Sequence, residues 1–287
     1  MGKMKILIFM AFYLILTSCE KDIRNGLLPG YDKKLVVTSF LSPSDNVSFI
    51  RVTSNRPVYG ELLPYPDPGE ISGWISDGES EIKLTANDSG LVFTKNEMPL
   101  INGKTYNIRI VNDEGLEARA RCTIPDKFGH NIIVDTFSYQ QVLYPGELPA
   151  HICKVSVRFR DQPGKDNYYR IIGKCQAFYK YMESNYVTNN YVMFEEDFFT
   201  DKKSNNKGEI SFTGYGWPDF SMRTDSSFIR IYLLDTEESY YLWHKTILNY
   251  KDDENPFTEP TPVYTNIEGG LGVFTSYSMD SVTFRLR

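Results

Sequence analysis

Four carboxylates, Glu195, Glu196, Asp197 and Asp201, fall within one short stretch of the chain. Side chains of this type can supply the acid and base of glycoside hydrolysis, or oxygen ligands for Ca²⁺. The stretch lacks the alternating Asp/Asn pattern of an EF-hand loop, and a run of acids is also what a solvated rim looks like. The three histidines, His130, His151 and His244, are far apart in sequence, so only the fold could assemble a ligand pair from them. No Gly-x-Ser-x-Gly, His-Glu-x-x-His, phosphate loop or Cys-x-x-Cys occurs. The expectation is a non-enzymatic chain with no catalytic residue, no metal and no cofactor. Aromatic residues cluster instead: Tyr179, Tyr181, Tyr186, Tyr191, Tyr215 and Trp217. They can stack on sugars or peptide, or simply pack between strands. Tyr215-Gly216-Trp217-Pro218 reads as a loop because of its Gly and Pro. Loops on a rigid sheet are where binding residues collect, so Tyr215 and Trp217 are expected contacts for a ligand or partner.

The cysteine chemistry begins at Cys19. Two lysines and no acid occupy Met1 to Lys5, Ile6 to Leu16 is unbroken apolar or aromatic, and Leu16-Thr17-Ser18 leads directly into the cysteine. A basic start, a short apolar run and small residues make a secretory signal too short to span a bilayer. Leu-small-small-Cys resembles the bacterial lipobox. That resemblance implies cleavage before Cys19 and acylation of its thiol and new amine; the alternative is an ordinary signal peptide with an incidental cysteine. Residues 1–18 are then the signal and 19–33 a tether, polar and broken by Gly26, Pro29 and Gly30. Attachment to the membrane would be through lipid, stable once two or more chains are present. Glu20-Lys21-Asp22 partly resembles the acidic signals that send such proteins to the outer face of the outer membrane, although a solvated spacer would look similar.

Loss of residues 1–18 removes Lys3 and Lys5 and leaves 29 basic against 37 acidic residues, a net charge of −8. A mildly acidic body argues against nucleic acid as a partner, which demands a basic face. With 20 Tyr and 18 Phe the composition favours strands. The length allows two cores.

The elements follow from alternation and turn chemistry. Leu35 to Leu41 and Val47 to Thr53 are expected strands, followed by an irregular loop over Arg56 to Gly69, where four prolines forbid helix. Short strands are expected at Trp74-Ile75, Glu81 to Thr85 and Leu91 to Thr94. Lys104 to Ile124 makes the clearest hairpin. With Asp113-Glu114-Gly115 as its loop, Ile110 faces Ala118, Ile108 faces Ala120 and Tyr106 faces Cys122, all on one apolar side. Asn107, Arg109, Arg119 and Arg121 take the other side. The fold class is therefore mainly β, with an immunoglobulin-like or transthyretin-like sandwich over 34–126 and a β-rich part with one helix over 127–287.

In the second part, strands are expected at Ile132 to Tyr139, Ile152 to Arg160, Tyr168 to Tyr181, Glu209 to Thr213, Ser227 to Leu234 and Gly272 to Arg287. A hairpin with Arg160 facing Tyr168 would set Cys153 against Cys175, and an exported compartment could oxidise the pair. Two buried thiols packed as small hydrophobes are the alternative. The helix is expected over 235–252, capped by Asp235, with Tyr240, Trp243, Ile247 and Tyr250 as its packing stripe.

Three stretches resemble the DUF4249 family, lipoproteins of unknown function from the Bacteroidota. They are Cys19-Glu20-Lys21-Asp22-Ile23 with Pro29-Gly30-Tyr31 and Lys34-Leu35-Val36-Val37; Asp161-Gln162-Pro163 with Asn167-Tyr168-Tyr169; and Asn255-Pro256-Phe257-Thr258-Glu259-Pro260 with Asn266-Ile267-Glu268-Gly269-Gly270-Leu271-Gly272-Val273-Phe274. The resemblance covers 19–287 as one unit. It implies a two-part β protein whose gene often neighbours a TonB-dependent outer-membrane transporter, and it supplies no catalytic residues. Phe257 and Phe274 are expected to anchor the loop before the last strand, or to contact a ligand. The expected role is a cell-surface lipoprotein of the outer membrane, accessory to such a transporter in nutrient capture or uptake. A hydrolase using the acidic cluster and a structural or adhesive protein are the rivals.

Overall fold

The computed structural model describes residues 32–56, 67–88, 90–142, 150–181, 184–204, 208–217, 224–249 and 262–286. The expected signal, the expected lipid site at Cys19, most of the expected tether, Phe257 and Tyr250 lie outside these residues. Strand alternation sets the first layers. In β1 (Leu35–Leu41) and β2 (Val47–Ser54), alternate side chains are buried and the strands pair antiparallel. β5 (Thr85–Asn87) and β6 (Gly90–Thr94) extend that sheet beyond β2. A second sheet runs β4 (Glu81–Lys83), β3 (Ile71–Ser76), β7 (Thr105–Asn112) and β8 (Glu117–Thr123). Apolar side chains of both sheets fill one core, among them Leu35, Val37, Ile50, Ile75, Phe93, Tyr106 and Ile110. The β7–β8 hairpin has the expected register, Ile110 opposite Ala118, Ile108 opposite Ala120 and Tyr106 opposite Cys122. Gly115 takes φ 83° in its loop, where a side chain would be strained.

The rest of the chain forms β9 (Ile133–Val142), β10 (Ala150–Arg160), β11 (Tyr168–Tyr181), β12 (Ser184–Phe194), β13 (Phe198–Thr200), β14 (Glu209–Gly216), β15 (Thr224–Thr236), α1 (Glu238–Asn249) and β16 (Leu271–Arg285). The last strand links both halves of the sequence. Its first part lies parallel to β1, Val36 beside Leu271 through Leu41 beside Ser276. Its second part lies antiparallel to β15, from Tyr277 beside Thr236 to Arg285 beside Phe228. Phe274 thereby enters the first core, fully buried. That placement corrects the ligand-contact alternative for Phe274, because no surface of its ring is open.

Beyond β15 the sheet continues β11, β12, β14, β10, β9. This order corrects the expected β10–β11 hairpin. Long complementary strands adjacent in sequence suit a hairpin, but here β12 pairs with β11, β14 pairs with β10, and β12 and β14 pair with each other between them. The sheet curls around a second core that includes Val155, Phe159, Tyr169, Phe199 and Phe212. Curling brings Cys153 and Cys175 together although two strands separate them, their sulfurs 4.0 Å apart. Both are unbridged, buried thiols. The contact with Cys153 and burial both push the Cys175 thiol up. The concave side is tight enough to require glycine at 216, where a Cβ would come 2.9 Å from the Cys175 sulfur and 3.1 Å from that of Cys153.

The helix expected near 235–252 spans Glu238–Asn249. Asp235 does not cap it. It is a buried residue of β15, and the carbonyl of Glu237 accepts the N–H groups of Tyr240 and Tyr241. The helix packs by Tyr240, Trp243 and His244 against Phe40 and Phe198, whereas Ile247 is exposed. Burial holds the His244 imidazole down at about 4, neutral at physiological pH, so it behaves as an aromatic packing residue.

Candidate functional site

The polar side of the β7–β8 hairpin becomes the floor of an open cleft of about 780 Å³. Because β7 and β8 are in register, Asn107, Arg109, Arg119 and Arg121 all rise from the side opposite the first core. Trp74 of β3 lies beside Arg109 in the sheet, and the guanidinium sits 4.1 Å from the centre of the indole ring. A cation stacked on Trp is held in position while its N–H edge remains available. Neither Arg109 nor Arg121 forms an ion pair among the described residues, whereas Arg119 pairs with Glu117 at 2.8 Å.

The walls come from two segments remote in sequence. Glu237, just before α1, and Glu238 and Ser239 at its start form one wall, and the approach to β16 supplies Tyr264, Asn266 and Glu268. Glu237 is fixed from several sides: it accepts from the Thr123 N–H at 2.6 Å and from the hydroxyls of Thr275 at 3.1 Å, Ser276 at 3.3 Å and Ser239 at 3.3 Å. Burial raises its pKa, and those donors only partly offset the rise. The turn is pinned by reciprocal backbone bonds between Glu268 and Arg119, 2.8 and 2.9 Å. The Asn266 amide clamps Phe274, donating to its carbonyl at 2.8 Å and accepting its N–H at 3.0 Å. Cys122 lies under the floor with its thiol pushed well up by burial, so it packs rather than reacts. The cleft can thus hold a polar occupant between guanidinium groups on its floor and carboxylates on its wall.

The residues singled out from sequence have other fates. Glu196 forms ion pairs with Lys203 at 2.5 Å and Lys245 at 2.9 Å, and the Lys203 bond is the main reason its pKa is lowered. Asp197 is raised by burial beside Arg170. The acidic stretch therefore includes a structural tie to α1. Among the described residues, no group of three His, Cys, Asp or Glu is placed to hold a metal. Tyr215 and Trp217 are exposed, but Tyr215 belongs to β14 and only Trp217 follows the strand, which corrects the expected loop. The aromatic-rich residues around 186–194 belong to β12, with Tyr191 and Met193 exposed on it. His130, assigned no role from sequence, is fully buried against Asp235, with 2.7 Å between Nε2 and Oδ2. Trp74, Glu237 and Tyr264 were not singled out either. The arginine face of the hairpin was the one legible sign of the cleft.

Searches among curated proteins and among solved structures found no match. A family model described as "Domain of unknown function (DUF4249)" matches residues 24–283, and the chain belongs to that family.

Proposed function

We propose that this protein is a non-enzymatic lipoprotein of the cell surface, anchored to the outer membrane through Cys19, that works beside a TonB-dependent transporter in capture or uptake of a nutrient. The observation that carries the reading is the cleft. Its floor is fixed by strand register, its arginine is backed by Trp74, and its opposed charges suit an exposed polar segment of a protein partner. Aromatic and arginine side chains held in such places dominate protein contacts. The lipid keeps the body at the membrane, and about a dozen tether residues reach roughly 40 Å when extended. Among the described residues no helix is long and apolar enough to cross a membrane.

Two measurements test this. Cys19→Ala should leave the chain unacylated and released from membranes; unchanged partitioning into detergent would defeat the anchor. Cross-linking on intact cells should recover a TonB-dependent receptor. Trp74→Ala with Arg109→Ala should cut that yield by about tenfold or more. Recovery of no receptor from surface-exposed protein would reject the pairing. Because the cleft carries both signs of charge, the complex should weaken only modestly as salt rises through the physiological range.

A further inference from the structure

Helix α1 covers part of the outer face of the curled sheet, over Ile172, Tyr232 and Met279. A neighbouring part of that face carries exposed large side chains: Tyr191 is 66% exposed, Met193 60%, Tyr215 45% and Trp217 41%. Their arrangement is set by register. Met193 of β12 lies directly opposite Tyr215 of β14, Tyr191 is the next outward position of β12, and Trp217 follows directly on the end of β14. Lysines flank the block on both sides, Lys154 beside Tyr215 on β10 and Lys174 beside Tyr191 on β11. The Lys154 ammonium lies 6.0 Å from the centre of the Tyr215 ring. Neither lysine forms an ion pair among the described residues. The carboxylates farther along, Asp135 and Glu209, are already engaged by Arg158, and Glu195 lies past the end of β12.

We infer that this plate binds an acidic polysaccharide, a chain of uronate-type sugars whose flat C–H faces stack on Tyr191, Tyr215 and Trp217 while its carboxylates meet Lys154 and Lys174. Three features select that occupant. Tyr215 and Tyr191 stand on neighbouring strands about 4.8 Å apart, and the Trp217 carbonyl accepts from the Asn190 amide at 2.7 Å, so the plate extends across β12 and β14. A peptide that adds to a sheet needs a free edge, and at Tyr215 both sides of β14 are already paired, to Lys154 of β10 and to Met193 of β12. The lysines on both sides of the rings supply the charge that a chain of carboxylates complements. The net acidity of the chain does not oppose this, because contact charge is local and exposed charges are screened beyond about 8–10 Å. The inference rests on this face alone and names what the proposed accessory protein would hold; it needs no transporter.

The test uses the purified full chain in detergent, passed over polygalacturonate beads and over uncharged dextran beads. Retention on polygalacturonate alone is expected. Tyr215→Ala with Trp217→Ala should weaken it about five- to tenfold or more. Lys154→Glu with Lys174→Glu, both substitutions at the surface, should abolish it, while Lys154→Ala with Lys174→Ala should flatten its salt dependence. Thermal melts confirm that each variant is folded, and the lysine pair keeps the test open if the aromatic pair is not. No retention, equal retention on dextran, or retention unchanged in the variants would overturn the inference. So would capture of the protein by anionic phospholipid vesicles in place of the polysaccharide, or self-association lost in the aromatic variant. A plate that fails while the cross-link to a receptor survives would reject the ligand and leave the accessory role standing.

Discussion

Replacement of His130 by alanine is expected to cost about 3–5 kcal/mol, because it strands a buried carboxyl whose partner has been removed. The imidazole is fully enclosed, with Phe128, Phe159 and Tyr169 edge-on around it. Nδ1 lies 2.7 Å from the carbonyl oxygen of Arg160, which can only accept, so Nδ1 carries a proton. Nε2 and Asp235 Oδ2 then share a second proton across 2.7 Å. Burial alone would lower the His130 pKa, but the bond to Asp235, its charge and the Arg160 carbonyl together raise it. Burial raises Asp235 by more than His130 lowers it, and Asp280 adds to the rise while Lys165 opposes it. Both shifts mean that the folded protein binds protons more tightly than the unfolded chain. The stability His130 contributes is therefore fully present below its unfolded pKa near 6.5 and lost as pH rises through its higher folded value. The raised Asp235 acts in the same sense from about pH 4 upward. Thermal melts from pH 5 to 9 should show the wild type losing stability on the alkaline side, with a flatter profile in His130→Ala. A midpoint lowered by on the order of 10 °C at pH 6 is expected. A variant as stable as the wild type at that pH would mean the pair contributes nothing.

Gly272→Val should be about as damaging. Gly272 sits opposite Val37 in the parallel pairing of β1 with β16, at φ 102°, outside the range a β-branched residue adopts. An added Cβ would stand 2.1 Å from the Val37 carbonyl oxygen, a backbone atom with no rotamer to change. Strain and overpacking each cost about 1–3 kcal/mol, so the sum is expected near 2–6 kcal/mol. Because β16 also pairs with β15, the lesion should reach both cores. Denaturant unfolding followed by Trp fluorescence should show a lower midpoint across the whole transition. Gly115→Ala, in the β7–β8 loop with nothing within 4 Å of its Cβ position, should lose only the backbone part, about 1 kcal/mol. Equal effects at the two glycines would show that the close approach at Gly272 is unimportant.

The Asn266–Phe274 block shows why a distinctive sequence need not be a ligand site. Gly272 permits the approach of β16 to β1, Gly269 takes φ 75° in the turn, Asn266 clamps Phe274, and Phe274 fills a core. Each residue type has a structural reason, and the cleft borrows only the exposed edge of the segment.

Local patterning by itself determined most of the strands, though not β12 or β13, together with the β7–β8 register, the position of the helix and the mainly β class. Each of those depends on near neighbours: the period-2 alternation of Leu35 to Leu41, or the glycine the loop at 115 requires. What it could not determine was which long strand lies beside which. Alternation fixes a strand's faces but not its partner, so β10 and β11 looked like a hairpin until β12 and β14 came between them. Cys153 and Cys175 do meet as expected, but beside Gly216 across two intervening strands rather than as hairpin neighbours, and the same limit hid the buried His130–Asp235 pair and the cleft. Arg109 and Arg121 were legible as one face of a hairpin. Only the tertiary structure brought Glu237 and Tyr264, over a hundred positions away, to stand over it, because docking of the last strand on the first is decided by the burial of Phe274 and by backbone pairing, not by any local pattern.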